Sequence, residues 1–348
     1  MKNHAWLKSA VASTATLLVL APFAAQADVK VETLTHINEV TGITAHDSDT
    51  TDYFQGTKKR EENLRKFTGS VLGAWQKFRG EDKGSMDIDI YLVDTNKHYD
   101  LDPQKKTYSE DAIYDPNQAT KAPPEGGTTQ PQKQQQDQDV KVTKNELTVK
   151  DTGKTQTING FDTHEYVITW DYETENTKNG DTSKNLMTTD TWTSSDPRLP
   201  KAREAEMAYN KAYLQLMHIQ MPEDEGKMYG FGGGTLTVNG QDEKAFFEKL
   251  RSIKGMPVST DVTWEVGGTS AKGGTTNTGA QQARPQQNLD SALGSLFGQK
   301  QPDNSQQNQK QGTPGMTTIF SSHIEIKAID TSPVDSSMFE VPSDYKTD

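Results

Sequence analysis

Met86-Asp87-Ile88-Asp89-Ile90-Tyr91-Leu92 places an apolar side chain at every second position and a polar or amphipathic one between. Side chains alternate across a β-strand, so this run reads as a strand with one dry face and one wet face. The same period recurs in Tyr166, Ile168 and Trp170, and again in Ile324, Ile326 and Ala328. In Val258–Val266, Val258, Thr260, Val262, Trp264 and Val266 share a face against Ser259, Asp261, Thr263 and Glu265. Alternation of this kind favours an antiparallel sheet, because strands of a parallel sheet are covered on both faces. Hairpin chemistry lies between the runs at Asp94-Thr95-Asn96, Asp151-Thr152-Gly153, Asn159-Gly160, Asn179-Gly180-Asp181 and Asn239-Gly240.

Two segments change to a helical period. From Pro200 to Gln220, one stripe carries Ala202, Ala205, Ala208, Tyr209, Ala212, Tyr213, Leu216 and Ile219. Pro200 suits a first helical position and Pro222 stops the run. The second segment starts at Asp242 as N-cap and runs through Phe246, Leu250 and Ile253 to Gly255, with Pro257 beyond. Each helix has a single apolar stripe, and the dry face of the sheet is the surface available to it. A long antiparallel sheet accumulates twist and must hide its edges, so it is expected to curl into an incomplete barrel. The expected fold is therefore α+β and β-rich, with helices covering the concave face. Such a lidded half-barrel encloses an apolar pocket. Its candidate lining is Trp170 and Trp264 from the strands, Tyr209, Tyr213 and Leu216 from the first helix, and Phe246 and Leu250 from the second. The stripe residues Tyr209, Tyr213 and Leu216 suit core packing as well as ligand contact.

The 348-residue chain begins with Lys2 and Lys8, an apolar stretch Val11–Phe23, and Ala25-Gln26-Ala27. This is the layout of a secretory signal peptide over residues 1–27, with an apolar core too short for a membrane span. A mature single domain over 28–348 in the periplasm is expected, with secretion to the outside as the alternative. The chain has no cysteine, which excludes disulfides, thiol catalysis, thiolate metal sites and a lipid-anchoring cysteine. Removing Lys2 and Lys8 from 37 basic residues against 49 acids moves the net charge from −12 to −14. That charge argues against nucleic acid as a partner and against simple electrostatic docking on anionic lipid. No second apolar stretch approaches a membrane span. Hydrophobic content is only 31%, because about 116–139 and 267–315 are rich in Gln, Gly, Thr, Asn and Pro. Both are expected to be disordered inserts within the folded domain. The island Leu289–Phe297 in the second suits either a transiently docking helix or a residual apolar cluster.

A resemblance adds to this reading. Tyr91-Leu92-Val93-Asp94 leads to Leu101-Asp102-Pro103 and Lys106-Thr107-Tyr108; Ile158-Asn159-Gly160-Phe161, Tyr166–Trp170 and Thr191-Trp192-Thr193 follow. Lys254–Val258 and the closing Ser337–Tyr345 complete the order. In this order the motifs resemble a family of exported bacterial proteins of unknown function, related in fold to the periplasmic lipoprotein carriers (LolA-like). The resemblance implies an unclosed barrel with a helical lid and an apolar cavity for an acyl chain or a hydrophobic peptide; the ligand expected of a carrier is an acyl chain, a lipid or a lipoprotein. It brings no catalytic residue and no cofactor.

Catalytic readings find little support in the residues. Gly268-Thr269-Ser270-Ala271-Lys272 lacks the last glycine of a nucleophile elbow, and His164-Glu165 lacks the second histidine of a zinc helix. Asp94, Asn96, His98 and Asp100 are spaced like a calcium loop, but Lys105 stands where the closing glutamate belongs. Asp87 and Asp89 share a strand face expected to lie in water, and Gly230–Gly234 lacks a Walker lysine. Three functions stay open: a non-catalytic carrier of a hydrophobic ligand, an envelope protein gripping an apolar segment of a partner protein, and a hydrolase. The carrier is the expected one.

Overall fold

The computed structural model describes residues 28–39, 42–116, 140–219, 248–269, 313 and 315–348. Residues 1–27, expected as a signal peptide, nearly all of both expected inserts, the Leu289–Phe297 island, Phe246 and Asn239-Gly240 lie outside these residues. Among the described residues, twelve strands form one sheet. They are β1 (Val29–Glu39), β2 (His46–Gln55), β3 (Lys58–Phe67), β4 (Ser85–Leu92), β5 (Lys97–Asp102) and β6 (Thr107–Asp111), then β7 (Val140–Ile158), β8 (Phe161–Asn176), β9 (Thr182–Ser194), β10 (Met256–Thr269), β11 (Thr317–Asp330) and β12 (Lys346–Thr347). Their order is β12-β6-β5-β4-β3-β2-β1-β11-β10-β9-β8-β7, so the sheet is open, with β12 and β7 at its ends. Every neighbouring pair is antiparallel except β12, which lies parallel on β6. The expected β-rich α+β class with an unclosed antiparallel sheet is what the chain adopts.

Helix α2 (Arg198–Leu216) lies on one face, here the inner face, against β1, β2 and β11. Its start is set by Asp196, whose carboxylate accepts from the Arg198 backbone N–H and from its guanidinium, each at 2.9 Å. Leu199, Ala202, Ala205 and Tyr209 are buried against Val29, Phe54, Val258 and Ile329. Farther along the same face, Leu250 and Ile253 pack on Leu147 and Ile168 of β7 and β8. Of that second segment, residues 248–255 are described, and 248–250 are helical.

The sheet curls around α2. Arg198 stacks on the ring of Phe161 at 4.3 Å, while Tyr213 meets Tyr91 of β4 with centroids 6.4 Å apart. Fifteen helical residues span ~22 Å, yet β8 and β4 are seven strand spacings apart, ~34 Å in a flat sheet. Asn159, at the tip of the β7–β8 hairpin, donates to the Ile326 carbonyl at 3.0 Å and to Glu325 at 2.7 Å. Those residues belong to β11, three strands away, so the hairpin tip folds in past the ends of β9 and β10.

The apolar row of β4 is covered differently from expectation. Ile88 and Ile90 face the outer side, and the C-terminal segment covers them: Val334, Met338, Phe339 and Tyr345 pack there with Leu101 and Tyr53. The inner side of β4 carries Tyr91, the residue that meets α2. Arg60 ties the segment down by donating to the Met338 carbonyl at 3.1 Å.

Three further expectations change. A helix that periodicity did not reveal, α1 (Ser70–Phe78), follows β3. Asp151-Thr152-Gly153 is no hairpin but a bulge inside the long β7, with Gly153 at φ 72° supplying the left-handed residue. Gly267, Gly268 and Thr269, placed by composition in the second insert, extend β10 against β9. There a Cβ on Gly268 would lie 2.2 Å from the Thr182 carbonyl oxygen, so only glycine allows the strands to close. The turns at Asn96, Asn159-Gly160 and Gly180 form as expected, each with positive φ.

Candidate ligand cavity

Between α2 and the sheet lies a cavity of about 410 Å³, within the range of small-molecule sites, ~300–1,000 Å³. Its floor comes from β1, β10 and β11, through Val31, Val258, Ile324 and Ile326, and its roof from Leu199 and Ala202 of α2. The helix serves two surfaces. The stripe Ala205, Tyr209, Ala212, Tyr213 and Leu216 is packed into the core, while Arg203, Glu206, Met207 and Asn210 turn toward the cavity.

One end of the cavity is polar. Asp52 of β2 lines it, and Lys59 of β3 reaches Asp52 at 3.0 Å and Glu61 at 2.7 Å. Burial pushes the Asp52 carboxyl above its ordinary value; Lys59 opposes the shift, while Glu61 and Glu206 add repulsion. Burial works against the charge on Lys59 too, but the two carboxylates outweigh it and hold its pKa up. One ammonium thus serves two carboxylates at the mouth of an apolar chamber. Beside it, Phe54, Tyr209, Tyr213 and Tyr91 form a chain of tilted and edge-on rings with centroids 5.9–6.4 Å apart. Burial raises the Tyr91 and Tyr209 hydroxyls far above their ordinary pKa, so both stay protonated.

Phe246 lies outside the described residues, and the other six candidate residues are not in the lining of this cavity. Tyr209 is buried in the main core, with Tyr213 and Leu216 packed against it. Trp170 and Leu250 belong to the cluster over β7 and β8, where the Trp170 indole donates to Asn145 at 2.9 Å. Trp264 stands on β10 and is 40% exposed. Of the strand rows read from sequence, Val258, Thr260, Ile324 and Ile326 do reach the lining. Asp52, Phe54 and Met207 were not singled out. Phe54 could have been found from Val29 and Val31, since registered β1–β2 pairing puts Val29 directly opposite Phe54.

Several of the described residues weighed for catalysis make local contacts. Asn96 accepts from the Tyr114 N–H and donates to its carbonyl, tying the turn before β5 to the segment after β6. His98 pairs with Asp89 at 2.6 Å on the inner face, and His164 with Asp151 at 2.5 Å. Glu165 is buried on the other face and meets Lys154. Among the described residues, no three His, Asp or Glu side chains group to hold a metal ion, and no helix is long and apolar enough to cross a membrane. No protein-family model, no curated protein and no solved structure matches the chain.

Proposed function

We propose that the protein is a soluble, exported, non-catalytic binder or carrier of a hydrophobic ligand, such as an acyl chain, a lipid or a lipoprotein, with the periplasm as its compartment. In this reading the curled sheet is a LolA-like half-barrel and α2 its lid. The observation that supports it is the apolar chamber between α2 and β1, β10 and β11. An acyl chain would lie on Val31, Ile324 and Ile326, with its polar end toward Asp52 and Asn210. Repacking tests this. Ala202→Trp projects an indole from the roof into the chamber and should abolish binding of a fluorescent fatty acid, whereas the same change at the exposed Lys201 should leave it intact. Native mass spectrometry of protein purified from its own periplasm supplies the second arm. Co-purifying lipid mass supports the carrier; a clean apo mass with a crosslinked protein partner overturns it.

A further inference from the structure

Helix α1 is mounted with its apolar side outward. Its buried residues are Gly73 and Gln76. The Gln76 amide accepts from the Phe67 N–H at 2.9 Å and donates to the Arg65 carbonyl at 3.1 Å, fixing this face on β3. Gly73 lies so close that a Cβ would be 2.8 Å from the Phe67 carbonyl oxygen. At ~100° per residue, Val71, Ala74, Trp75 and Phe78 fall on the opposite side in one narrow stripe. They are exposed, Val71 at 42%, Trp75 at 54% and Phe78 at 88%. The contacts that hold α1 are therefore polar and specific, and they leave three of its four large apolar side chains, all but the half-buried Leu72, without a core.

The charges around the stripe point to its occupant. On the helical wheel Lys77 and Arg79 stand on either side of the stripe, and the Arg79 guanidinium lies over the Trp75 ring at 4.7 Å while pairing with Glu81 at 2.8 Å. Residues 66–83 contain the cations Lys66, Lys77, Arg79 and Lys83 against Glu81 and Asp82, in a chain that otherwise carries an excess of acids. We infer that α1 is a membrane-surface anchor: Val71, Trp75 and Phe78 enter the headgroup–acyl boundary of an anionic bilayer while Lys77 and Arg79 reach its phosphates. Aromatic rings with flanking long cations are suited to that boundary, because stems and rings are apolar and the cationic ends remain hydrated. The overall negative charge keeps the rest of the molecule off the surface and confines contact to this patch. The inference does not depend on the cavity.

Co-sedimentation of the full chain with vesicles of phosphatidylglycerol and phosphatidylcholine in equal parts tests it. The wild-type protein should pellet with these vesicles, less with phosphatidylcholine alone, and less as salt rises. Each of Phe78→Ser and Trp75→Ser should weaken pelleting by about tenfold, and Lys77→Glu should weaken it while steepening no other property. Phe78 makes no buried contact, so Phe78→Ser should melt like the wild type and isolates the surface effect from folding. Absence of pelleting, or equal pelleting by Phe78→Ser, overturns the inference. Self-association lost in Phe78→Ser without vesicle binding also overturns it, in favour of a protein contact on the same face.

Discussion

Gln76 bonds two backbone groups of β3, the Phe67 N–H and the Arg65 carbonyl, and its own side chain is buried. Gln76→Leu keeps the volume and removes both bonds, so it should cost about 1–3 kcal/mol in urea unfolding. Loss of exchange protection at the Phe67 amide should accompany it. A second residue-scale prediction concerns His323, which lies opposite His36 on β1 and bonds to Asp261 of β10 at 3.1 Å, with Glu325 at 3.5 Å. His36 is itself bonded to Asp47 of β2. The hydrogen bond to Asp261 holds the His323 pKa above its ordinary 6.5, against the opposing effect of burial. The folded state therefore binds this proton more tightly than the unfolded state does. The resulting stability is complete below the unfolded pKa and is lost as pH rises through the folded one. Asp261→Asn should remove that slope, read as urea midpoints at about pH 5.5 and pH 8.5 and as the His323 titration by NMR. None of this was legible in the sequence, because the histidine and the aspartate are sixty-two positions apart and meet only through strand register.

At the scale of elements, the C-terminal segment does for the outer face what α2 does for the inner. Phe339 is buried against Ile88, Ile90 and Leu101, and Phe339→Ala should destabilise the protein by about 3–5 kcal/mol, measured by urea unfolding. The alternation of β4 correctly marked Ile88 and Ile90 as dry, but periodicity alone does not say which element covers a face. Here Tyr91 gave β4 a second buried side, so the strand is covered from both. α2 was legible because its stripe is long; the cavity side of the same helix was not, since Arg203, Glu206 and Asn210 read as a solvated face. α1 escaped notice because Gly73 lowers its helix propensity, and its apolar stripe points away from any core. Asp151-Thr152-Gly153 has the residues of a tight turn, and one glycine in the left-handed region serves a bulge equally well.

For the whole molecule, an unclosed twelve-stranded sheet stays folded by wrapping: Asn159 pins a hairpin of one side to β11 in the middle. Asn159→Ala should leave most of the fold intact yet speed amide exchange at the hairpin tip, around Phe161. A ligand that occupies the chamber should stabilise the folded chain by ~2.7 kcal/mol at a hundredfold excess over Kd, seen as a rise in melting temperature that Ala202→Trp abolishes. The strand order has one more outcome. β1 to β6 run outward one way as a meander of near neighbours and β7 to β11 form another; the two meanders pair where β1 meets β11, and α2, the C-terminal segment and β12 reach from the second piece onto the first. Lys30 is opposite Asp330 at that seam. The hairpin contacts within one wing, β1–β6, and within β7–β9 of the other are local in sequence and should form early, while the seam closes a loop of nearly the whole chain and should form last. The two wings are then separable pieces: cut in the connection between β6 and β7 and expressed as two polypeptides, they should find one another and rebuild the seam.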